Sequence, residues 1–158
     1  MTTHKPQFVY VTYIQTTPEK VWAALQDPEL TKQYWGVHKN VSDWKAGSPW
    51  THQDYDTNEV HVTGKVLEAE PPKKLVLTWG HPEGRPIQEP PSKVTFLIEP
   101  FMGAVRLTVM HDELVEGGAM IRAISQGWPG VLSSLKTLLE TGQPMPMSTK
   151  RWAGPPPQ

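Results

Sequence analysis

Two hydrophobic periods run along this chain. Between Phe8 and His111 apolar residues alternate with polar ones in short runs, and beyond Gly118 they recur every three or four positions. The second pattern is clearest from Gly127 to Glu140. There Trp128, Val131, Leu132, Leu135, Leu138 and Leu139 trace one face of a helix. Gly127, Pro129 and Gly130 interrupt it. Pro129 offers no N–H to the Ser125 carbonyl and its ring crowds that group. A kink near Ser125, or a break with a second start at Pro129, is expected.

The alternating part divides into strands. Phe8 to Ile14 is rich in aromatic and β-branched residues and reads as the first. A helix then starts at Thr17-Pro18, with Thr17 as cap, Pro18 in the first turn and Val21, Trp22 and Leu25 on one face. Asp27-Pro28-Glu29 repeats the start signal for a second short helix that stops at Gly36. Further strands are expected over Val37 to Trp44, Trp50 to Tyr55, Val60 to Val66, Leu75 to Trp79, Val94 to Pro100 and Val105 to His111. Gly64 inside one of them suggests a bulge or bend. His81 to Ser92 holds four prolines and reads as a loop, and the final helix should begin near Ala119 or Met120. Six or seven strands with one long helix after them predict an α+β fold. A curved antiparallel sheet wraps the C-terminal helix and leaves a cavity beneath it.

Composition narrows the function classes. The chain has 158 residues, a net charge of −1, 37% hydrophobic and 20% charged residues, and no cysteine. Such a chain fits one domain and buries roughly 70% of its unfolded surface. Near-neutral charge gives no electrostatic case for nucleic acid or an anionic membrane. Thiolate chemistry, disulfides and cysteine-based zinc sites are excluded. No apolar run is long enough to insert in a membrane. Met1 to Pro6 lacks an apolar signal core, so a cytoplasmic protein is expected. Residues 1–142 form the expected domain, and 143–158 a proline-rich tail, mobile unless Trp152 docks.

Four strings occur in a recurring order. They are Thr17-Pro18-Glu19-Lys20-Val21-Trp22 running on to Leu30, Gly64-Lys65-Val66-Leu67-Glu68 with Pro71 to Trp79, Arg106 to His111, and Gly127-Trp128 with Leu132, Leu135, Lys136, Leu139 and Glu140. Together they resemble the bacterial homologues of the heat-shock-protein-90 ATPase activator, in the START-like (SRPBCC) superfamily. The resemblance spans residues 8 to 142. It implies a helix-grip fold with a deep apolar cavity. The superfamily includes lipid carriers, hormone receptors, plant allergens, polyketide cyclases and ring-hydroxylating dioxygenase subunits, and the eukaryotic namesake binds a chaperone. Fold-level likeness therefore implies little about chemistry.

The candidate site follows from strand parity and from seven tryptophans, more than a core of this size needs. Trp79 and Trp128 sit on faces assigned inward, and Trp35 and Trp50 are expected at the mouth. Ile124 and Leu132 complete the helix side. His111 shares parity with Val105, Leu107 and Val109, so it orients a ligand's polar end together with Tyr55, or else bonds a loop carbonyl. If three or more rings line the hollow, a flat or aromatic ligand fits better than a fatty acid; if the rings fill it, there is no ligand. His52 and His61 flank a predicted hairpin, yet no H-x-x-x-H or H-E-x-x-H string exists, so no metal is assigned. No nucleophile elbow, phosphate loop or dinucleotide fingerprint is present, and no cofactor is expected. Lys150-Arg151 reads as a stray terminal pair. The expected function is binding of a small apolar or aromatic molecule, with no catalytic residue assigned. A polyketide cyclase or aromatase type of enzyme and a chaperone-interacting or dimerising module are the alternatives. The oligomeric state stays open between monomer and homodimer.

Overall fold

The computed structural model describes residues 5–152. Seven strands form one antiparallel sheet: β1 (Phe8–Ile14), β2 (His38–Ser42), β3 (Pro49–Asp54), β4 (Val60–Glu70), β5 (Lys74–Trp79), β6 (Ser92–Phe101) and β7 (Ala104–Asp112). Their order is β1-β7-β6-β5-β4-β3-β2. Every hairpin neighbour is thus a sequence neighbour, and only β1 crosses, to pair with β7. Two short helices, α1 (Pro18–Gln26) and α2 (Pro28–Tyr34), fill the crossover from β1 to β2, and the long helix α3 (Ala119–Thr141) follows the sheet. This is the α+β helix-grip architecture.

Local chemistry explains the element ends. Thr17 caps α1 by accepting from the Lys20 N–H, and Asp27 caps α2 by accepting from the Glu29 N–H at 2.9 Å. Gly142, with φ 79°, closes α3 in the left-handed conformation that an L-residue side chain disfavours. α3 runs unbroken through Pro129, so no second start occurs there. Buried Trp128 on one side and buried Val131 and Leu132 on the other hold the helix to the sheet across the missing hydrogen bond. β6 likewise continues one residue past Pro100. Its pairing with β5 ends at Leu97, so the absent proline N–H costs no ladder bond on that side.

Curvature is concentrated in β4. Its first half pairs with β3 and its second half with β5. Register shifts fall between Val66 and Glu68 on β4, and between His52 and Gln53 on β3. Gly64 lies between the two shifts rather than at either. Its requirement is close approach: a Cβ there would stand 2.0 Å from the Thr78 carbonyl oxygen.

The segment after α3 returns to the sheet. The Ser148 hydroxyl donates to the Gln33 carbonyl at 2.7 Å, and Gly36 N–H donates to the Ser148 carbonyl at 3.0 Å. Arg151 forks onto nearly buried Asp54 and exposed Asp56. The guanidinium beside it holds the Asp54 carboxyl well below the usual carboxylate range. Arg151 is therefore not a stray terminal charge. It carries Trp152 onto Gly36, where a Cβ would stand 2.4 Å from the indole.

Two glycines give opposite expectations. Gly64→Ala forces backbone apart and should cost about 3 kcal/mol. Gly127→Ala, whose Cβ meets open space inside α3, should gain up to about 1 kcal/mol from helix propensity. Urea unfolding of both variants checks the pair.

Candidate functional site

Rings from four elements close the deep end of the hollow. Trp35 at the end of α2, His52 on β3, Trp79 on β5 and Trp128 on α3 form a circuit. The ring centroids lie 4.8 Å apart for Trp35–His52, 6.3 Å for His52–Trp79, 5.6 Å for Trp79–Trp128 and 5.5 Å for Trp128–Trp35. The tilted and edge-on contacts among them suit the ring quadrupoles. Beneath this floor lies a void of about 10 Å³, against Trp44, Trp50, Leu75 and Phe96. Above it lies a cavity of about 600 Å³.

Three walls surround the cavity. β2, β3 and β4 contribute His38, His52, His61 and Val62, and the β5–β6 loop contributes His81, Arg85, Pro86 and Ile87. α3 presents Ala119, Ala123 and Gly127, spaced four apart so that they stack on one face. Small side chains there leave the room that Met120, Ile124 and Val131 border. Trp152 contributes from the C-terminal segment. No Asp or Glu among the described residues lines the space.

The histidines of the cavity are shifted toward the neutral form and tied by direction. His38 donates from Nδ1 to the Gly36 carbonyl at 2.8 Å, so its Nε2 accepts from His61 Nδ1 at 2.9 Å. His38 and His52 stack at 4.7 Å. Burial, ahead of any other cause, pushes the pKa of His38, His52, His61 and His81 below the ordinary histidine value. Arg85 at the rim is held by Glu59 at 2.9 Å, and Arg122 by the Gly117 carbonyl at 2.9 Å. Among the described residues no group of three His, Cys, Asp or Glu is placed to hold a metal ion.

His111 lies under the floor, fully buried and outside the cavity lining. Trp128 Nε1–H can only donate, and it does so to His111 Nδ1 at 3.1 Å. The neutral ring must then carry its proton on Nε2, which donates to Ser92 Oγ at 2.7 Å. The Ser92 hydroxyl donates onward to the Trp79 carbonyl at 3.4 Å. With both nitrogens engaged in this sense, His111 has no lone pair to take a proton from Ser92 or from a ligand. Burial pushes its pKa down to about 3.

The eight residues expected at the site therefore separate. Trp35, Trp79, Ile124 and Trp128 line the cavity. Trp50 is buried beneath the floor with its Nε1–H donated to the Thr78 carbonyl at 2.7 Å, and Leu132 packs in the core. His111 bonds Ser92 and Trp128 rather than a ligand or a loop carbonyl. Tyr55 is on the outside: its hydroxyl donates to Glu29, and the Lys32 ammonium sits 4.7 Å from its ring centre. The histidine wall, the β5–β6 loop and Trp152 are absent from the sequence-based set. The parity of Trp50, His52 and Asp54 along β3 is the one signal that marks His52 as inward.

The family model described as activator of Hsp90 ATPase homolog 1-like protein matches residues 15–140. Among solved structures, MLL2253 from Mesorhizobium loti is similar at 27% identity and a TM-score of 0.72, over 85% of this chain and 96% of that one. CalU16 from Micromonospora echinospora is similar at 22% identity and a TM-score of 0.70, over 89% and 77%. The Aha1 dimer from Colwellia psychrerythraea is similar at 21% identity and a TM-score of 0.67, over 87% and 98%. No curated protein matches the chain.

The neutral histidines set a pH dependence. Their folded pKa values lie below the unfolded value of about 6.5, so the unfolded chain binds more protons in between. Stability is complete above that pH and falls as the solution is acidified. For His111 alone the loss at pH 5 is about 2 kcal/mol, since each pH unit below about 6.5 costs about 1.4 kcal/mol until the folded pKa is reached. Urea unfolding at pH 7.5 and pH 5 measures it, and equal stability at the two would contradict a buried neutral His111.

Proposed function

The chain belongs to the activator of Hsp90 ATPase homolog 1-like family, and within it we propose a binding protein that holds a small apolar or aromatic molecule between the sheet and α3. One observation carries this reading: the cavity of about 600 Å³ stays open above a closed aromatic floor, with Val62, Ile87, Met120, Ile124 and Val131 around it. That volume falls within the range of small-molecule pockets, roughly 300–1,000 Å³. A two-ring ligand burying about 200 Å² of apolar area gains about 5 kcal/mol, before the cost of association. Three indoles in the floor favour a flat ligand over a flexible chain, because ring stacking adds geometry-dependent attraction. His111 gives no support to an acid–base reaction, since its lone pair is engaged.

The cavity reading is tested by native mass spectrometry of freshly purified protein, which should reveal a retained small molecule, together with fluorescence titration of anilinonaphthalene sulfonate. Gly127→Leu places a side chain into the open space beside α3. It should weaken probe binding at least about tenfold while leaving stability equal or higher. Unchanged binding in that variant would remove the cavity as the binding site.

A second reading concerns assembly and rests on β1. It is an edge strand, and its outward residues Val9, Val11 and Tyr13 are 48%, 47% and 44% exposed, beside Met102 at 92%. Such a row favours pairing with a second copy, and the related Colwellia protein is a dimer. Light scattering should give twice the chain mass, reduced to one copy in Val11→Lys. A single-copy mass for the wild-type protein at high concentration removes this reading.

A further inference from the structure

The floor of the cavity presents one unmatched acceptor. Asn40 Nδ2 donates to the Leu25 carbonyl at 3.0 Å, which fixes Asn40 Oδ1 as an acceptor. The ring nitrogen 2.8 Å from that oxygen, His52 Nδ1, must then carry the proton. His52 Nε2 is left with a lone pair. Burial disfavours a second proton on the ring. This nitrogen has no partner among the described residues, and His52 borders the cavity. The Nε1–H of neighbouring Trp79 is also without a partner, but it is buried out of a ligand's reach. A fixed lone pair on an otherwise apolar floor calls for a ligand group that donates to it.

The charged groups of the rim do not compete for this role. Arg85 is matched by Glu59, and Arg122 by a backbone carbonyl. His81 Nε2 is unpartnered on the loop wall, but no neighbour fixes its proton, so it does not select between ligands. The unmet demand is for an uncharged donor at the aromatic end of the cavity.

Resting on the cavity reading above, we propose that the ligand is an aromatic molecule bearing a hydroxyl, of the phenol or naphthol class, which donates to His52 Nε2. The flat ring system occupies the space over the four floor rings. Asn40 acts as a positioning residue that holds His52 in the required tautomer.

Naphthol and its methyl ether, methoxynaphthalene, differ in the donor alone and serve as probes. Titrated by tryptophan fluorescence into wild-type protein, naphthol should bind about tenfold more tightly than the ether. In His52→Phe the two should bind alike. Because that variant leaves Asn40 Oδ1 without its donor and can lose its fold, the wild-type imidazoles are also followed by two-bond proton–nitrogen correlation. His52 should show a protonated Nδ1 and a lone-pair Nε2, and Nε2 should move upfield with naphthol and stay in place with the ether. Equal affinities with a stationary Nε2, or an unprotonated Nδ1 in the free protein, overturn the proposal and leave the cavity reading standing. Binding of neither probe overturns both.

Discussion

One indole determines where the hollow ends. Trp128 projects from α3 and meets Trp35, Trp79 and Phe96 edge-on, so a single side chain joins the helix to α2, β5 and β6. Its N–H, donated to His111 on β7, gives that packing a direction as well as a distance. Apolar packing alone would let the ring slide, whereas a buried donor-only group is costly to leave unpaired. The hydrogen bond therefore pins the ring at one depth, and the chain through Ser92 to the Trp79 backbone extends the constraint to the second floor tryptophan. Without the pin, the same rings have room above them to rise and fill the cavity.

Much of this fold can be read from the chain because its signals are local. The cap residues Thr17 and Asp27, the alternation of β6 and β7 and the three-four spacing of α3 each act within a few positions. The site is less readable because it depends on which side of a curved sheet is already filled. His111 has the inward parity assigned to it, but Trp128 covers it, so parity names the face and not the depth. Trp50 fails for the same reason, lying one layer below Trp79. Tyr55 is lost because β3 ends at Asp54, which releases the next residue from strand parity. Pro129 does not divide α3, because buried residues on both sides of it hold one continuous helix to the sheet. Arg151 meets Asp54 across 97 positions, and no periodicity reports a pairing at that separation.

The cavity's polarity is built from neutral groups. Four histidines on its walls are shifted toward the uncharged form by burial, and its two arginines are engaged at the rim. In a low-dielectric space an unpaired charge would exclude apolar ligands and destabilise the fold. Neutral imidazoles avoid that cost while keeping directional donors and acceptors, and their flat faces continue the aromatic surface, as the His38–His52 stack does. The same choice makes the wall acid-sensitive, because protonation would place like charges on rings 4.7 to 4.8 Å apart.

Helix-grip sheets support unrelated activities, so the shared architecture does not specify a ligand. The hollow of this chain shows a division of labour. Large rings close the deep half, where His52 of β3 and Trp79 of β5 close a circuit with Trp128 of α3. The row Ala119, Ala123 and Gly127 keeps the shallow half empty. In that arrangement α3 bounds the volume, while the tautomer of His52 on β3 is set by Asn40, which lies outside the cavity lining. Substitutions on the helix row change the space without touching the polar atoms of β3.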